Sequence, residues 1–315
     1  MKFLAVDIGT GTQDVLLFDS RMNIENSYKL ILPSPTLMVR RRIQSAAQRR
    51  QDILLSGVTM GGGPSRWAVE DALKAGCRVF ATPAAARTLD DDLEQVSAKG
   101  VILVSEEEAA RLPDEITPIA TRDIDLDLLR QTFALYGIGL DDLAAVAVAV
   151  FDHGNAPAGV SDRKFRFEYL KRRVLEANRL GAFAYRSESI PAMLTRMQAV
   201  ADSATGLNCP LVVMDTAPAA VLGATFDPRV PRQAQKMIVN IGNAHTLAFR
   251  LADAQVEGIF EHHTGCLNRD ELEVMLVKFA ENTLSSDEVF RSNGHGALLC
   301  TDSRFDLDSP GAEIV

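Results

Sequence analysis

A carboxylate and a glycine-rich turn lie together near the start of this chain. Asp7 ends a short apolar run, and Gly9, Thr10, Gly11 and Thr12 follow it. Glycine lets a backbone approach a ligand closely, and successive N–H groups in such a turn form a concavity that attracts anions. Threonine hydroxyls add donors, and a carboxylate at this position can hold a hydrated Mg²⁺ ion. The segment predicts a phosphate-binding turn with Asp7 as metal ligand; the alternative is an ordinary surface hairpin.

A second segment near the other end of the chain repeats this arrangement. Residues 6–9 (Val-Asp-Ile-Gly) align with residues 239–242 (Val-Asn-Ile-Gly) at a constant offset of 233 positions (239 minus 6). Such a spacing is too long for a solenoid repeat and indicates two related halves, each presenting one phosphate hairpin across a cleft. The candidate ligand-binding residues of the second copy are Asn240, Gly242, Asn243, His245 and Thr246.

The elements that position these turns can be predicted from the apolar pattern. Each glycine turn lies between two short apolar runs, which is typical of a β-hairpin. Between the hairpins, strand and helix signals alternate, and the run of Ala and Val at 143–151 is typical of a parallel strand buried on both faces. The chain is therefore predicted to be an α/β protein.

Two further carboxylates follow predicted strands. Asp152 comes after the run at 143–151, and Asp215 comes after a run at 210–214. Ligands of open α/β sheets bind at the carboxyl ends of the strands. Asp7, Asp152 and Asp215 are therefore the candidate catalytic residues for Mg²⁺-assisted phosphoryl transfer or hydrolysis. Asp215 is the first candidate for a base or a water-positioning group and Asp152 the second; capping of the following turn or helix is the alternative for both.

A glycine loop lies between the predicted strand at 53–58 and the predicted helix at 65–75. A loop that leads into a helix N-terminus can bind an anion there. The alternative is a tight strand-to-helix turn without a ligand. The candidate residues are Gly61, Gly62 and Gly63.

The histidines of the chain have unusual neighbours. All five lie in loop-like contexts beside glycine, asparagine or threonine, and loop histidines in such positions are often functional. A transition-metal site is nevertheless not favoured, because no pair has the spacing typical of metal ligands. His245, inside the second turn, is expected to meet a phosphate directly. The five residues are His153, His245, His262, His263 and His295.

Composition excludes several classes of protein. A hydrophobic content of 47% with 24% charged residues is typical of a globular protein, and 315 residues predict two domains. The net charge of −9 argues against a nucleic-acid partner. No signal peptide or membrane-spanning run is found, so a cytoplasmic location is expected. The four cysteines stand singly and are expected to be buried thiols; they form neither CxxC nor CxxxCxxC, so an iron–sulfur activating enzyme is not supported.

The two hairpins resemble phosphate motifs 1 and 2 of the actin, heat-shock-chaperone and sugar-kinase (ASKHA) superfamily of ATPases. The segment 212–223 between them resembles the superfamily's connecting strand and helix. Within the superfamily the chain is most similar to an uncharacterised family, some members of which carry a pyruvate formate-lyase-activating label. The resemblance implies two actin-like (RNase H-like) ATPase domains around a cleft that binds ATP, or another nucleotide, with Mg²⁺.

Two departures from the superfamily pattern qualify this expectation. Asn240 stands where many members have a second Asp, which predicts weaker metal binding. The segment that usually holds adenosine is not found, and the charged tail 301–315 is expected to be poorly ordered. With a boundary near the prolines at 228 and 231, residues 1–227 are predicted to be the first actin-like domain with insertions. Residues 228–315 are predicted to be a second domain that is incomplete at its C-terminal end.

The sequence thus predicts an enzyme that uses ATP as a hydrolase or a kinase acting on an unknown small molecule. The alternative is a non-catalytic regulator that binds a phosphorylated ligand and signals by domain closure. Neither a membrane nor a nucleic acid is expected as a partner, and the sequence does not indicate an oligomeric state.

Overall fold

The computed structural model describes residues 1–228, 230 and 235–307. The contacts of the chain divide it into two compact units. Unit 1 comprises Met1–Phe151 and Arg186–Val213, and unit 2 comprises Asp152–Tyr185 and Met214–Val315. The chain therefore passes from one unit to the other three times. The predicted domain boundary at 227/228 is not one of these passages, because both positions lie within unit 2. The neighbouring residues 229 and 231 are outside the described residues.

The described residues form fourteen strands and eleven α-helices, together with short 3₁₀ turns. The strands are β1 Lys2–Ile8, β2 Thr12–Asp19, β3 Tyr28–Pro33, β4 Ile53–Gly57, β5 Val79–Ala81, β6 Ile102–Leu103, β7 Thr117–Thr121, β8 Leu143–Val150, β9 Ala184–Arg186, β10 Leu211–Met214, β11 Gln235–Ile241, β12 His245–Ala252, β13 Gln255–His263 and β14 Gly296–Leu299. The helices are α1 Pro35–Gln48, α2 Gly63–Lys74, α3 Pro83–Ala86, α4 Leu93–Ala98, α5 Glu106–Ala109, α6 Leu126–Ala134, α7 Asp162–Glu176, α8 Thr195–Ser203, α9 Thr216–Ala224, α10 Arg269–Ala280 and α11 Ser286–Arg291. The protein is thus a mixed α/β protein with parallel and antiparallel sheets.

The largest sheet has six strands in the order β3-β2-β1-β8-β10-β9. The first three form an antiparallel meander, and β8 joins β1 in parallel. Leu4, Val6 and Ile8 alternate with more exposed residues along β1, so one face of the hairpin is buried in the core. This alternation fixes the register that places Asp7 opposite Asp14.

Unit 1 also contains a small parallel sheet, whose strands come between β3 and β8 in chain order. Its order is β6-β5-β4-β7, and α1 packs against α2 beside it. The strand β7 was not predicted, because it contains Pro118. It is an edge strand, where a proline does not remove a hydrogen bond that a neighbouring strand needs.

Unit 2 contains an antiparallel sheet in the order β11-β12-β13-β14. Phe279 and Met275 of α10 pack with Met237, Ala248 and Phe260 of the sheet in one core. The strand β14, at Gly296–Leu299, was not predicted, and it adds to β13 rather than to β11. Only residues 301–307 of the predicted tail are among the described residues; residues 308–315 lie outside them.

The structure bears on three expectations: the burial of β8, the burial of the cysteines and the absence of a membrane-spanning segment. The strand β8 is not buried on both faces: Val146, Val148 and Val150 are buried, whereas Ala147 is exposed, because the valines share one face. Of the four cysteines only Cys77 is buried, so the expectation of buried thiols was wrong for the others. Among the described residues, no helix combines the length and the apolar character that crossing a bilayer requires.

Candidate functional site

The turn of the first hairpin is closed by its own backbone and by one residue after the meander. The N–H of Gly9 donates to the carbonyl of Thr12 at 2.9 Å. Ser34, directly after β3, donates its N–H to the carbonyl of Gly11 at 3.1 Å and its hydroxyl to the carbonyl of Thr10 at 2.7 Å. A Cβ added to Gly9 would lie 3.0 Å from the carbonyl oxygen of Thr12, so the turn is tight around this glycine.

The second hairpin repeats this construction in unit 2. The N–H of Gly242 donates to the carbonyl of His245 at 2.9 Å. Thr264, directly after β13, donates its N–H to the carbonyl of Ala244 at 2.9 Å and its hydroxyl to the carbonyl of Gly242 at 2.8 Å. A Cβ on Gly242 would again lie 3.0 Å from a carbonyl oxygen, that of His245. The sequence repeat is therefore also a repeat of these backbone hydrogen bonds, whereas the two hydroxyls bond to carbonyls at different positions of the turn, Thr10 and Gly242.

The hydrogen bonds that Ser34 donates to the first turn and Thr264 donates to the second form a clamp on each turn, and the clamp orients the peptide groups. In a planar trans peptide the C=O and the following N–H point in opposite directions. Because Ser34 holds the carbonyls of Thr10 and Gly11, the N–H groups of Gly11 and Thr12 point away from Ser34. In the second turn the clamp on Gly242 and Ala244 has the same consequence for the N–H groups that follow them. In each turn the bonded carbonyls therefore face the clamping Ser or Thr residue.

The predicted metal ligand has a carboxylate opposite it. Asp7 and Asp14 are cross-strand partners of β1 and β2, and both are exposed. Thr12 donates its hydroxyl to Asp14 at 3.2 Å. In the second hairpin the equivalent pair is Asn240 and Leu247, which carries no charge. Sequence analysis missed Asp14, although its distance from the turn would have placed it opposite Asp7.

The glycines at 61–63 are explained by packing. A Cβ on Gly62 would stand 1.8 Å from the carbonyl oxygen of Thr88, and one on Gly61 would stand 2.5 Å from the guanidinium of Arg196. Asp123, which is buried, accepts hydrogen bonds from the N–H of Gly61 at 3.2 Å and from Arg196 at 2.7 Å. These contacts are those of the tight turn that sequence analysis gave as the alternative to ligand binding.

Asp152 and Asp215 are neighbours in unit 2, and both are buried. Asp215 begins α9 as its N-cap, with Oδ1 accepting the N–H of Ala217 at 3.0 Å. Asp152 accepts the N–H of Gly154 at 2.8 Å, which shapes the turn after β8. Both carboxylates therefore make the capping contacts that were the alternative to catalysis, and their catalytic roles stay predictions. Asp7 belongs to unit 1.

A buried arginine, Arg166, joins these acids to a third carboxylate. Arg166 of α7 donates to both oxygens of Asp215, at 2.6 and 3.0 Å, and to both oxygens of Glu261, at 2.9 and 3.2 Å. It also donates to the carbonyl of Asp152 at 2.7 Å. Arg166, Asp215 and Glu261 are each at most 1% exposed. Burial raises the pKa of Glu261 while Arg166 opposes that rise, and the two carboxylates in turn raise the pKa of the Arg166 guanidinium.

Beside this network, four of the five histidines form a cluster. Ligand nitrogens of His153, His245 and His295 all lie within 4.8 Å of one another. The ring of His263 lies 4.9 Å from that of His245 and 4.7 Å from that of His295, between centroids. His262 is adjacent in sequence but lies on the opposite face of β13. Burial, with Arg166 and the other imidazoles nearby, lowers the pKa of His295 well below its ordinary value.

These features define a mixed α/β protein with two clamped glycine hairpins and a histidine cluster. A family model described as "Putative pyruvate format-lyase activating enzyme (DUF1786)" matches residues 60–310. Because the match covers most of the chain, the protein belongs to this family. The matched residues include the second hairpin, Arg166 and all five histidines.

Comparison with other known proteins adds little. No curated protein matches the chain. Fourteen solved chains match, among them the crystal structure of an exopolyphosphatase-like protein. That protein is 11% identical, and the match covers 92% of this chain and 62% of the other, with a TM-score of 0.20. The chain thus spans less than two thirds of the length of the relative.

Proposed function

We propose that the chain is an actin-like protein that binds the phosphates of a nucleotide, with Mg²⁺, through its two hairpins. The observation that carries this proposal is the repeated turn: both copies have the same Gly N–H bond, and in both a Ser or Thr residue after the third strand holds two turn carbonyls with its N–H and its hydroxyl. An ordinary hairpin turn does not need a third strand to hold its carbonyls. The antiparallel meander β3-β2-β1, with the strand β8 parallel to β1, is an α/β arrangement of the kind expected from the alternating strand and helix signals.

The residues of the first hairpin fit Mg²⁺. Like charges that stand directly opposite each other across two strands destabilise a sheet. Asp7 and Asp14 are such a pair, and oxygen ligands from one or two carboxylates are what Mg²⁺ requires, with water or phosphate oxygens completing its shell. When bound, the ion would neutralise charge on the transferred phosphoryl group. Asp7 and Asp14 would orient the ion, and the clamped turn would hold the phosphate oxygens.

The reaction class that accompanies such a site is transfer of a terminal phosphoryl group to water or to a small acceptor.

A specific observation favours the second candidate, a regulator that binds a phosphorylated ligand without turnover. Asp215, the predicted base, is fully buried with both oxygens bonded to Arg166, so it is not placed to take a proton from a water molecule. The activity in the family description is not adopted, because the cysteines of this chain do not form CxxxCxxC.

Thermal unfolding with added ligands tests the proposal. Mg·ATP at about 100 times its Kd should stabilise the protein by about 2.7 kcal/mol and raise its melting temperature by about 5 °C. Asp7→Asn and Asp14→Asn should each reduce the Mg²⁺-dependent part of this shift. Asp141→Asn, which changes an exposed carboxylate away from the turn, is the matched control.

The absence of any shift with millimolar ATP, ADP, GTP or inorganic phosphate would contradict the proposal. A separate measurement of phosphate release distinguishes its two forms. Release that depends on Mg²⁺ and is lost in Asp7→Asn indicates an enzyme, whereas binding without release indicates a regulator.

A further inference from the structure

We propose that His153, His245 and His295 form a binding site for a divalent transition metal ion such as Zn²⁺. Their ligand nitrogens lie within 4.8 Å of one another, although the three residues are far apart in the sequence. In a tetrahedral zinc site with Zn–N distances of about 2.0–2.1 Å, the nitrogens stand about 3.3 Å apart. Metal binding at this site therefore requires the ligand nitrogens to approach one another by up to about 1.5 Å. This proposal does not depend on nucleotide binding.

The fold holds two of these histidines through their backbones. The carbonyl of Asp152, in the peptide bond that leads to His153, accepts a hydrogen bond from Arg166 at 2.7 Å. The N–H of His295 donates to the carbonyl of Glu261 at 2.9 Å. Because Arg166 also binds the Glu261 side chain, one buried network fixes the positions of both residues. Supporting contacts of this kind are expected around metal ligands.

Close packing around His295 indicates that its position is tightly specified. A Cβ on Gly294 would stand 2.4 Å from the ring of His262 and from Val289, and one on Gly296 would stand 2.6 Å from the ring of Phe167. The sequence Gly-His-Gly is therefore required by packing on both sides of the histidine. His245 is held in the same way by the closed turn of the second hairpin, where its carbonyl accepts from Gly242.

A fourth histidine lies against the cluster in a suitable tautomer. The Nδ1 of His263 lies 2.8 Å from the carbonyl of Asn293, which can only accept, so Nδ1 carries the proton. A hydrogen bond from one ring nitrogen to a backbone carbonyl, with the other nitrogen facing the metal, is typical of a metal-bound histidine. His263 is cross-strand partner to His245. It is a candidate for a fourth ligand or for a contact to a metal-bound water.

The chemistry of the site selects the class of metal. Neutral imidazoles suit Zn²⁺, Co²⁺, Ni²⁺, Cu²⁺ or Fe²⁺, whereas Mg²⁺ and Ca²⁺ require oxygen ligands. Three histidine ligands leave a position open for water or an anionic oxygen, and through His245 that position adjoins the second hairpin turn.

Titration of the chelator-treated full chain with Co²⁺ and Zn²⁺ tests the site. We expect one equivalent of Co²⁺ with visible absorption typical of nitrogen ligands and without the intense near-ultraviolet band of a thiolate ligand. Zn²⁺ should displace it, and X-ray absorption of the zinc form should show at least three imidazoles. His153→Gln and His245→Gln, at half-buried positions, should each weaken binding by more than about 100-fold. His263→Gln should weaken it less.

The matched control is His262→Gln, which removes the histidine outside the cluster. Both ring nitrogens of His262 are used by the fold, one bonding to the carbonyl of His263 and the other to the hydroxyl of Ser292. This variant should keep its metal affinity within about threefold of wild type. The proposal is overturned if no saturable single equivalent binds, if cobalt or zinc is held by thiolates, or if folded His153→Gln and His245→Gln variants bind like wild type. The X-ray absorption result decides the ligand set even where a variant does not fold.

Discussion

Substitutions in the buried network around Arg166 are predicted to reduce the stability of the fold. The loss should be larger for the arginine than for Asp215. Arg166→Met removes five hydrogen bonds to Asp152, Asp215 and Glu261 and the positive charge that pairs with the two carboxylates, but it keeps a long apolar side chain. Two carboxylates, Asp215 and Glu261, then remain buried without a cation. Breaking a buried ion pair by removing one partner costs about 3–5 kcal/mol, because an uncompensated charge remains in the interior. We expect a loss of this size.

The charge count also predicts the order of two variants. Asp215→Asn leaves Arg166 paired with Glu261, so the network becomes neutral, and asparagine can still cap α9. Its loss should be about 1–3 kcal/mol, the usual result of removing one partner of a buried hydrogen bond. Lys171→Met, on the exposed surface of the same helix as Arg166, is the matched control and should change stability by less than about 0.5 kcal/mol.

Urea unfolding followed by circular dichroism measures these differences, and thermal unfolding checks them. A loss of 3–5 kcal/mol corresponds to a decrease in melting temperature of about 6–20 °C for a chain of this size. The reasoning is refuted if Arg166→Met costs less than about 1 kcal/mol, or if Asp215→Asn is the more damaging of the two.

Three further predictions concern unit 1 and the proposed nucleotide. In urea unfolding, Gly62→Ala should destabilise the protein by about 1–3 kcal/mol, because the added Cβ would meet the carbonyl oxygen of Thr88. The adjacent Gly63→Ala should stabilise it by about 0.4–1 kcal/mol, because the space around Gly63 is open. The Arg78 guanidinium lowers the pKa of Asp52, so this pair stabilises the fold above pH 3.8 and loses that contribution as the pH falls through the lowered value. In urea unfolding across this range, Asp52→Asn should be less stable by under about 1 kcal/mol at neutral pH and should converge with wild type in acid; a constant difference would contradict this assignment. In competition titrations ATP should be preferred over GTP by less than about tenfold, or 1.4 kcal/mol, since backbone turns do not contact a base; a hundredfold preference would reveal a base pocket.

Local patterns predicted the parts of the fold that local interactions determine. The two hairpins follow from a glycine turn between short apolar runs, and the structure repeats the predicted offset even in the bond from Gly9 to Thr12 and from Gly242 to His245. The strand β7 was missed because Pro118 is unfavourable in a strand unless the strand lies at an edge, and the sequence does not reveal edges.

The histidine cluster was not predicted because it forms by long-range convergence. His153 follows β8, His245 begins β12 and His295 precedes β14, so no spacing in the sequence brings them together. The signal that was available is local: His295 between two glycines indicates a backbone that approaches its neighbours closely. The network of Arg166, Asp215 and Glu261 was missed for the same reason, since its partners lie on elements far apart in the chain.

The three passages of the chain between the units have a consequence for folding during synthesis. Unit 2 begins with α7, but the partners of Arg166 are made much later, and Glu261 follows it by 95 residues. At a synthesis rate of about 5–20 residues per second, Arg166 waits about 5–20 s on the ribosome before Glu261 exists. During that interval unit 1 can complete its sheets, while α7 carries an arginine and an apolar face without partners. The nascent segment 152–185 therefore exposes groups that are buried in the finished fold until the strand that carries Glu261 has been made.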